Sequence, residues 1–550
     1  MSIITNDEVQ ARLTAPGQLF EMEDVGGGVR AWKHAPATFR ALLENSAFHG
    51  DKEFVVYEDE RLTYTEHFRL AATLAHRLAD SFGVRKGDRV AIAMRNYPEW
   101  IVAFSATLAI GAVAVPLNAW WTRKELEYGL SDSGATLLIA DGERATTLAG
   151  IDIPMIVNRS SGSLGADWQE VLGEISPDVV LPPADIHPED PATIFYTSGT
   201  TGHPKGALGS HRNLGQAPMS VVYAMTRGVA LTGRDPGESL KRRRITLLTV
   251  PLFHATGCFA VLLTTMFSGN GLILMYKWDA ESALRLIERE KITGLSGVPT
   301  NAWQLLSHPA LGSYDISTLS GVSYGGAPAP PKLLERLTEL LPGRTPSNGY
   351  GMTETTALAI YNSGQSYQDR PGSIGIPLAV VDVKVCDLSG AELPRGQVGE
   401  LCLRGPIVIM GYWNRPDATA ETIVGGWLHT GDLARVDDEG FVYIVDRAKD
   451  MVIRGGENVY CAEVEAALFD HPAIDDAAVI GIPDDELGEQ VGAIVKLRSP
   501  ATQEELQAFL KETLAPFKIP VRIWFHESDL PRNPGGKILK THLRREVLGG

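Results

Sequence analysis

The chain has 550 residues, of which 44% are hydrophobic and 21% charged, so it can bury a large core and is not a disordered protein. Its 50 basic and 67 acidic residues give a net charge of -17, which repels phosphate backbones. This charge excludes a general nucleic-acid-binding protein. The four cysteines are far apart, which predicts neither a disulfide framework nor a structural zinc site. The N-terminal residues have no apolar core, so we expect no signal peptide and a cytoplasmic location.

Two stretches without acidic or basic residues, 100–121 and 245–276, are long enough to be mistaken for membrane spans. Prolines, glycines and hydroxyl residues interrupt both, so we expect no integral membrane protein. The first stretch predicts a buried helix that ends near Gly111, followed by a strand at 112–116. The second predicts a strand, a loop, a helix and a strand.

Strands and helices alternate along most of the chain, which is typical of a parallel α/β sheet. A strand is predicted at 272–275, a helix follows the capping residue Asp279, and another strand is predicted at 295–298. Short runs with Gly-rich turns between 381 and 445 predict an antiparallel sheet. A smaller α+β segment follows, with helices at 462–469 and after the capping box at Thr502. Residues 226–244 are predicted to form a surface loop.

Residues 196–206 read Tyr-Thr-Ser-Gly-Thr-Thr-Gly-His-Pro-Lys-Gly and follow an apolar run. The glycines and hydroxyls allow backbone amides and side chains to wrap around phosphate oxygens, with Lys205 as a point charge. The segment differs from a Walker A loop, because Pro204 precedes Lys205 and Gly206 follows it.

This segment resembles the phosphate loop of the adenylate-forming superfamily, which includes acyl-CoA synthetases, luciferases and peptide-synthetase adenylation domains. Four further stretches resemble motifs of that superfamily in the right order: 348–354, 429–433, 446–459 and 533–538. The resemblance implies a large N-terminal domain of stacked α/β sheets with a small β-barrel-like subdomain, followed by a mobile α+β C-terminal domain. We expect the adenylation domain at 1–445 and the mobile domain at 446–550.

The resemblance also implies roles for individual residues. Lys537 would bridge the carboxylate and the phosphate, Lys449 would be the hinge, and Lys205, Thr353 and Glu354 would complete the catalytic set. Thr200 and Glu354 would bind magnesium. Contacts to ATP or CoA are implied for Thr197, Ser198, Gly199, Thr200, Thr201, Gly202, Lys205, Gly326, Ala327, Asn348, Gly349, Tyr350, Gly351, Thr353, Asp432, Arg447, Gly455, Gly456 and Glu457. The acyl pocket would be lined by His254, Gly257, Val298, Tyr324, Gly325, Gly351 and Met352.

The implied reaction uses ATP, Mg²⁺ and CoA to convert a small-molecule carboxylic acid into its CoA thioester. A carboxylate and a triphosphate must approach each other, so positive charge and magnesium have to offset their repulsion. Apolar residues near His254 predict a hydrophobic acid, either a medium- or long-chain fatty acid or an aryl or cinnamic-type acid. A stand-alone enzyme that passes the acyl group to an amine or a carrier protein is the alternative. The sequence is compatible with a homodimer and does not fix the oligomeric state.

Residues 321–325, Gly-Val-Ser-Tyr-Gly, match the Gly-x-Ser-x-Gly pattern of a nucleophile elbow. A serine hydrolase with Ser323 as its nucleophile is therefore a rival hypothesis. Glycines and prolines after Gly325 delay the next helix, whereas an elbow needs the helix to start directly after the serine. A non-catalytic acyl- or nucleotide-binding protein is a third reading, which the full set of charged candidate residues disfavours.

Overall fold

The structure is a computed structural model that describes residues 5–160, 162, 164–197, 204–326, 329, 331–387, 389–454, 457–484, 486–533 and 536–549. Within these ranges, helices cover mixed and antiparallel β-sheets, which confirms the predicted α/β class. A short hairpin near the N-terminus pairs Met22–Asp24 with Arg30–Trp32.

The first large sheet contributes a row of parallel strands with an antiparallel edge. In spatial order its described strands are Gly411–Tyr412, Lys205–Ser210, Pro191–Thr197, Val113–Pro116, Arg89–Ala93, Leu137–Asp141, Met155–Asn158 and Ala166–Asp167. Arg89–Ala93 and Val113–Pro116 are parallel and are joined by the buried helix Pro98–Ala109. The prediction for 100–121 is therefore confirmed.

The second large sheet packs beside the first. Its described strands follow the order Ile376–Pro377, Ile360–Ser363, Thr345–Tyr350, Gly321–Gly325, Gly294–Gly297, Ile245–Leu248, Gly271–Leu274, Glu53–Tyr57 and Glu60–Thr63. Asp279 caps helix Ala280–Arg289, as predicted, by accepting a hydrogen bond from the Ser282 N–H. The predicted helix within 245–276 is present as a π-helix, Thr256–Leu262, that continues into Leu263–Ser268.

The prediction of a surface loop at 226–244 is wrong, because a long helix, His211–Leu231, extends into it and Pro236–Lys241 follows. Arg227 on the long helix is only 4% exposed. Its guanidinium donates to the carbonyls of Pro377 (3.1 Å) and Tyr361 (3.0 Å). These partners are distant in sequence, so local sequence patterns could not indicate that the start of the segment is helical and buried; residues 232–235 and 240–243 are exposed, as predicted.

The remaining helices cover the two large sheets or join their strands. Their bounds are Asn6–Leu13, Phe39–Ala47, Tyr64–Asp80, Arg123–Ser133, Gly142–Thr147, Trp168–Leu172, Pro299–Ser307, Pro331–Leu340, Gly364–Asp369 and Pro416–Thr422, with 3-10 turns at Leu311–Ser313 and Thr353–Thr355. Among the described residues, none of the helices combines the length and apolarity that a bilayer span requires.

The third sheet is antiparallel, as predicted for 381–445. Its described strands are Asp382–Cys386, Gly399–Arg404, Trp427–Val436 and Ile423–Val424, and Val442–Arg447 pairs with Trp427–Val436. The last strand crosses the position at which the sequence suggests a domain boundary. Its pairing places Arg447 directly opposite Asp432.

The fourth sheet belongs to the C-terminal part of the chain and has a hydrophobic core of its own. Its described strands are Glu457–Val459, Val452–Arg454, Gly488–Leu497 and Ile474–Asp484, with Arg522–Phe525 paired to Gly488–Leu497. The helices of this part are Cys461–Phe469, Gln503–Leu510 and Lys540–Leu548, with a 3-10 turn at Pro516–Lys518. Thr502 forms the predicted capping box with Glu505.

Candidate active site

Asp432 lies at the centre of a buried polar cluster. Its Oδ2 accepts a hydrogen bond from the Tyr350 hydroxyl at 2.6 Å, and its Oδ1 lies 2.8 Å from Nε of Arg447. Burial and the nearby Asp432 charge raise the pKa of Tyr350 well above its usual value. Tyr350 is therefore a neutral donor, and the three side chains bring the second and third sheets together at one point.

Glu400 supports the turn that carries Asp432. Its Oε1 accepts the N–H of Gly431 at 2.9 Å, and its Oε2 lies 2.8 Å from Nδ1 of His429. Strand pairing also brings Cys402 close, so that one ligand atom each from Glu400, Cys402 and His429 lie within 4.8 Å of one another. Sequence spacing did not predict this cluster. In the structure, the Glu400 carboxylate holds the backbone next to Asp432.

Glu354 forms a second buried cluster with Tyr412 and Lys205. The Glu354 side chain belongs to the 3-10 turn Thr353–Thr355, and the residue is 6% exposed. Its Oε1 accepts a hydrogen bond from the Tyr412 hydroxyl at 2.8 Å, and Nζ of Lys205 lies 5.2 Å from the centre of the Tyr412 ring. Burial raises the pKa of Glu354, while Tyr412, Arg447 and Lys205 lower it. The site thus holds a carboxylate that a bound cation would stabilise.

Tyr412 was missed by the sequence analysis. It lies on the two-residue strand Gly411–Tyr412, which pairs with Lys205–Ser210 at the edge of the first sheet. A two-residue strand has no periodicity of its own, so only the pairing partner reveals it. The lone signal in the sequence is a Gly-Tyr dipeptide between two turns.

Gly351 is enclosed by the turn that follows it. A Cβ atom at this position would lie 1.4 Å from the carbonyl oxygen of Ala357. Thr356 and Ala357 have φ angles of 48° and 78°, which non-glycine residues rarely adopt. The turn therefore folds back tightly, and it holds Thr353 and Glu354 next to Tyr350.

We expect Gly351→Ala to abolish ATP–pyrophosphate exchange and to lower the free energy of unfolding by about 1–3 kcal/mol, because the turn must move to admit a methyl group. Urea unfolding and the exchange assay measure the two effects. Gly372→Ala is the matched control, since nothing lies within 4 Å of a Cβ at that position. A Gly351→Ala enzyme with normal exchange would contradict the role of this turn.

The backbone around His254 is tightly packed. A Cβ on Gly257 would lie 2.2 Å from the carbonyl oxygen of Pro251, so glycine is required there. The His254 ring lies 5.0 Å from that of Phe253, and its buried Nε2 has no hydrogen-bond partner among the described residues. Burial lowers the pKa of His254 to about 4. His254 is therefore neutral at physiological pH.

Other residues predicted for the acyl pocket occupy different surroundings. A Cβ on Gly325 would lie 2.3 Å from the carbonyl oxygen of Gly349, so these two strands approach closely. The hydroxyl of Tyr324 is hydrogen-bonded to that of Tyr367 at 2.9 Å, inside the core. Gly326, with a φ of 76°, and Met352 follow their strands at the same edge of the second sheet.

Ser323 lies in the middle of strand Gly321–Gly325 and not at a turn between a strand and a helix. Its Oγ is 2.7 Å from Oγ of Ser347 on the neighbouring strand Thr345–Tyr350. A nucleophile elbow needs a sharp turn that exposes the serine. The structure therefore contradicts the hydrolase hypothesis.

The loop that carries Lys537 reaches the same region from the C-terminal part of the chain. The Lys537 N–H donates to Oδ1 of Asn533 at 2.9 Å, and Arg532 donates to the Gly536 carbonyl at 2.8 Å. Arg532 is held in turn by Asp476 at 2.7 Å. A Cβ on Gly536 would lie 3.1 Å from Cγ2 of Val298, so the loop touches a predicted wall of the acyl pocket.

The Lys537 ammonium lies within electrostatic reach of the Asp432 cluster. Burial, and then the charge of Arg447, lower the pKa of Lys537 to about 8, whereas Asp450 and Asp432 raise it. Lys449 lies beside the same groups, and burial followed by the charge of Arg447 lowers its pKa as well. The structure thus brings Lys537, Lys449, Arg447 and Asp432 together.

We expect the kcat/KM of the adenylation step to fall as the pH rises through about 8, because Lys537 loses its charge there. The kcat/KM value reports the free enzyme, so ATP–pyrophosphate exchange between about pH 6 and pH 10 measures this pKa. Lys537→Arg is the comparison, since a guanidinium stays charged throughout. The same alkaline fall in both enzymes would assign the titration to another group.

Part of the predicted phosphate and pantetheine set lies outside the described residues: Ser198, Gly199, Thr200, Thr201, Gly202, Ala327, Gly455 and Gly456. Their described neighbours can be located. Thr197 ends strand Pro191–Thr197 opposite Lys205, and Glu457 is exposed at the start of strand Glu457–Val459. Asn348 and Gly349 lie on strand Thr345–Tyr350.

Comparison with known proteins gives consistent matches. A family model described as AMP-binding enzyme matches residues 42–413, and one described as AMP-binding enzyme C-terminal domain matches 463–537. The chain is 38% identical to a feruloyl-CoA synthase from an Amycolatopsis species, over 88% of this chain and 94% of the relative. It is 34% identical to a long-chain-fatty-acid–CoA ligase from Escherichia coli O6:H1, over 94% and 96%.

Solved structures match as well, over most of the chain. An o-succinylbenzoate CoA synthetase from Bacillus subtilis in complex with its acyl-adenylate has a TM-score of 0.78 and 31% identity, over 92% of this chain and 97% of that one. An amide bond synthetase from Marinactinospora thermotolerans has a TM-score of 0.82 and 28% identity, over 92% and 99%.

These matches show that the protein is an adenylate-forming enzyme with a large N-terminal and a small C-terminal domain. The chain belongs to the family of AMP-binding enzymes, within its acyl-CoA synthetase branch. It is accordingly an acid–thiol ligase that works through an acyl-adenylate, and enzymes of this family use ATP and CoA.

Proposed function

We propose that this ligase activates a hydrophobic aryl or fatty carboxylic acid with ATP and Mg²⁺, and transfers the acyl group to CoA at the cluster around Asp432. The observation that carries the proposal is that the Lys537 charge interacts with those of Asp432 and Arg447, while the neighbouring Gly536 of the same loop lies against Val298. One cation thereby stands between the proposed nucleotide site and the proposed acyl pocket.

In the first step, a carboxylate oxygen of the acid attacks the α-phosphorus of ATP, and the bond to the β-phosphate oxygen breaks to release pyrophosphate. Lys537 offsets the charge of the two approaching anions and orients them. Asp432 accepts hydrogen bonds from the ribose hydroxyls, with Arg447 beside it. Tyr350 would lie against the adenine ring, and Thr353 would donate to the α-phosphate.

Magnesium, when bound, neutralises charge on the phosphate oxygens. Glu354 suits this ion, because it offers a hard oxygen ligand on a buried carboxyl whose pKa burial raises. Thr200 is the second proposed ligand. Lys205, beside the Tyr412 ring, adds a positive charge close to Glu354.

In the second step, the CoA thiolate attacks the acyl carbonyl carbon, and AMP leaves. Lys537 and the thiol need the same region, so we propose that residues 446–550 rotate as a domain about Lys449 between the two steps. Lys449 lies between strands Val442–Arg447 and Val452–Arg454, a suitable place for a hinge. Gly455, Gly456 and Glu457 would then line the pantetheine path.

The acid is proposed to be hydrophobic because of the residues around the pocket. Gly257 allows close backbone approach beside His254, which is neutral, and the buried Val298 faces the loop of Lys537. The relatives named for ferulate and for long-chain fatty acids are consistent with this class. The amide bond synthetase favours one second candidate, in which an amine accepts the acyl group.

A two-stage assay tests the proposal. ATP–pyrophosphate exchange with a panel of aliphatic, aryl and cinnamic acids is expected to identify the acid, with hydrophilic acids inactive. Product analysis with CoA or with an amine then identifies the acceptor. Absence of exchange with every acid would contradict the proposed activation step, and an amide without a thioester would contradict CoA as the acceptor.

A further inference from the structure

Helix Arg123–Ser133 carries two polar side chains, Tyr128 and Asp132, that are four residues apart and therefore lie on one face of the helix. The Asp132 side chain is 8% exposed. Its Oδ2 accepts a hydrogen bond from the Tyr196 hydroxyl at 2.9 Å, and its Oδ1 accepts one from Nη2 of Arg415 at 2.5 Å. Burial and the Asp132 charge raise the pKa of Tyr196, so this tyrosine is a neutral donor. A largely buried carboxylate needs such partners, and here both of its oxygens are engaged.

The Tyr128 hydroxyl contacts the backbone directly before Lys205. It donates to the carbonyl oxygen of Pro204 at 3.0 Å, which is the nearer acceptor, since Oδ1 of Asp132 lies 3.4 Å away. Nη2 of Arg415 lies 3.4 Å from the same hydroxyl oxygen. A hydroxyl has one proton, so a donor on one side directs that proton to the acceptor on the other side. The peptide bond between Pro204 and Lys205 is planar, and fixing its carbonyl therefore fixes the start of the Lys205 backbone.

Through these contacts the helix is tied to three adjacent strands at one end of the first sheet. Tyr196 lies on strand Pro191–Thr197, Pro204 precedes strand Lys205–Ser210, and Arg415 follows strand Gly411–Tyr412. Trp413 adds a further link, because its Nε1 donates to the backbone carbonyl of Asp132 at 3.2 Å and its N–H donates to that of Gly206 at 2.8 Å. The last turn of one helix therefore sets the relative positions of the three strand ends.

The helix and the proposed phosphate site lie on opposite faces of these strands. Side chains alternate between the two faces of a strand. Leu208 and Trp413 belong to the same hydrophobic cluster as Leu126 of the helix. Lys205 and Tyr412 are offset from them by an odd number of residues and occupy the other face, where the Lys205 ammonium lies 5.2 Å from the centre of the Tyr412 ring. The polar side chains of the helix therefore act on the site only through the strand ends.

We propose that Tyr128 and Asp132 are positioning residues for ATP, because they hold the strand ends that place Lys205 and Tyr412 beside Glu354. The inference rests on the proposed function, since it presumes that Lys205 and Glu354 face the phosphates of ATP. A lysine is a point charge on a flexible stem, so its effect on a triphosphate depends on where its backbone is held. Tyr412 depends on the same strand ends for its hydrogen bond to Glu354, at 2.8 Å.

The first test is Tyr128→Phe, which removes one hydroxyl and keeps the ring. We expect the KM for ATP in ATP–pyrophosphate exchange to rise about 10-fold, the effect of losing one hydrogen bond. The KM for the acid, and thioester formation from supplied acyl-adenylate, should stay close to wild type, because neither depends on the position of the triphosphate. Tyr314→Phe is the matched control, since it removes a hydroxyl that donates to Glu281 at 3.1 Å, away from these strands.

The second test is Asp132→Asn, which keeps the size of the side chain and removes the charge that pairs with Arg415. We expect the KM for ATP to rise about 10- to 100-fold, because a charged hydrogen bond is lost and the Arg415 guanidinium is left without its carboxylate. Arg415→Gln should cause a similar rise, and the double variant should lose little more, since the pair acts as one unit. Additive losses in the double variant would contradict the pair.

Combination with Lys205→Gln separates positioning from general support of the fold. Because Tyr128 acts through Lys205, Tyr128→Phe should raise the KM for ATP by a much smaller factor in Lys205→Gln than in the wild type. The same factor in both backgrounds would make Tyr128 a structural residue. An unchanged KM for ATP in Tyr128→Phe, or equal losses in both half-reactions, would also overturn the inference. Should Asp132→Asn not fold, the Tyr128→Phe measurements decide alone.

A failure of the proposed function would look different. Titration calorimetry with ATP measures binding independently of exchange. A wild-type enzyme that binds ATP but exchanges pyrophosphate with no acid would refute the proposed activation step, and the Kd for ATP in Tyr128→Phe would then decide the inference. A wild-type enzyme that exchanges pyrophosphate, with a KM for ATP that Tyr128→Phe does not change, would leave the proposed function intact and refute the inference alone.

Discussion

Replacing Lys537 by alanine is expected to slow acyl-adenylate formation about 10²- to 10³-fold, the usual effect of losing one preorganised charge that faces the transition state. Lys537 is enclosed beside Arg447 and Asp432, where a charge acts more strongly than in water. ATP–pyrophosphate exchange measures this step. Thioester formation from supplied acyl-adenylate should change much less.

The comparison of the two half-reactions separates a catalytic role from a structural one. Lys511→Ala is the matched control, because Lys511 is exposed on the same part of the chain. Equal losses in both half-reactions for Lys537→Ala would show that the lysine supports the domain as a whole. Lys537→Arg should recover part of the exchange activity only if charge dominates over shape.

Replacing Glu354 by glutamine is expected to lower the exchange rate about 10²-fold at low magnesium and to raise the magnesium concentration needed for half-saturation. Glutamine keeps the size of the side chain and can still accept from Tyr412, but it lacks the charge that attracts the cation. Titration of the exchange reaction with Mg²⁺ measures both effects.

Tyr412→Phe provides an intermediate case. It keeps the Glu354 charge and removes the hydrogen bond, so we expect a rise of about 10-fold in the magnesium requirement. An unchanged magnesium requirement in Glu354→Gln would refute Glu354 as a ligand. Thermal unfolding without nucleotide should be recorded for both variants, because Glu354 is buried and its replacement also changes the stability of the turn.

Much of the fold follows from local patterns. The alternation around Asp279 predicted a parallel strand–helix–strand unit, and the short runs after residue 381 predicted an antiparallel sheet; both are present. The prediction of a surface loop at 226–244 is wrong for a physical reason. The helix continues to Leu231 and buries Arg227 against carbonyls of distant strands, and hydrophobic periodicity cannot register such contacts.

The candidate site likewise has residues that the sequence predicts and residues that only the structure reveals. Motifs in the sequence identified Asp432, Glu354 and Lys537, because each lies in a short segment with a distinctive composition. Tyr412 carries no such signal. It lies on an edge strand of the first sheet, whereas its partner Glu354 follows a strand of the second sheet, so the two residues come from different parts of the chain.

The sequence by itself determined the α/β class, the order of the motifs and the chemistry that the superfamily resemblance implies. The tertiary structure alone decided that Lys537 lies within electrostatic reach of Asp432, that Tyr412 donates a hydrogen bond to Glu354, and that Ser323 lies within a strand. The physical reason is that residue type and spacing govern local backbone structure, whereas the neighbours of a buried charge depend on how sheets and domains pack together.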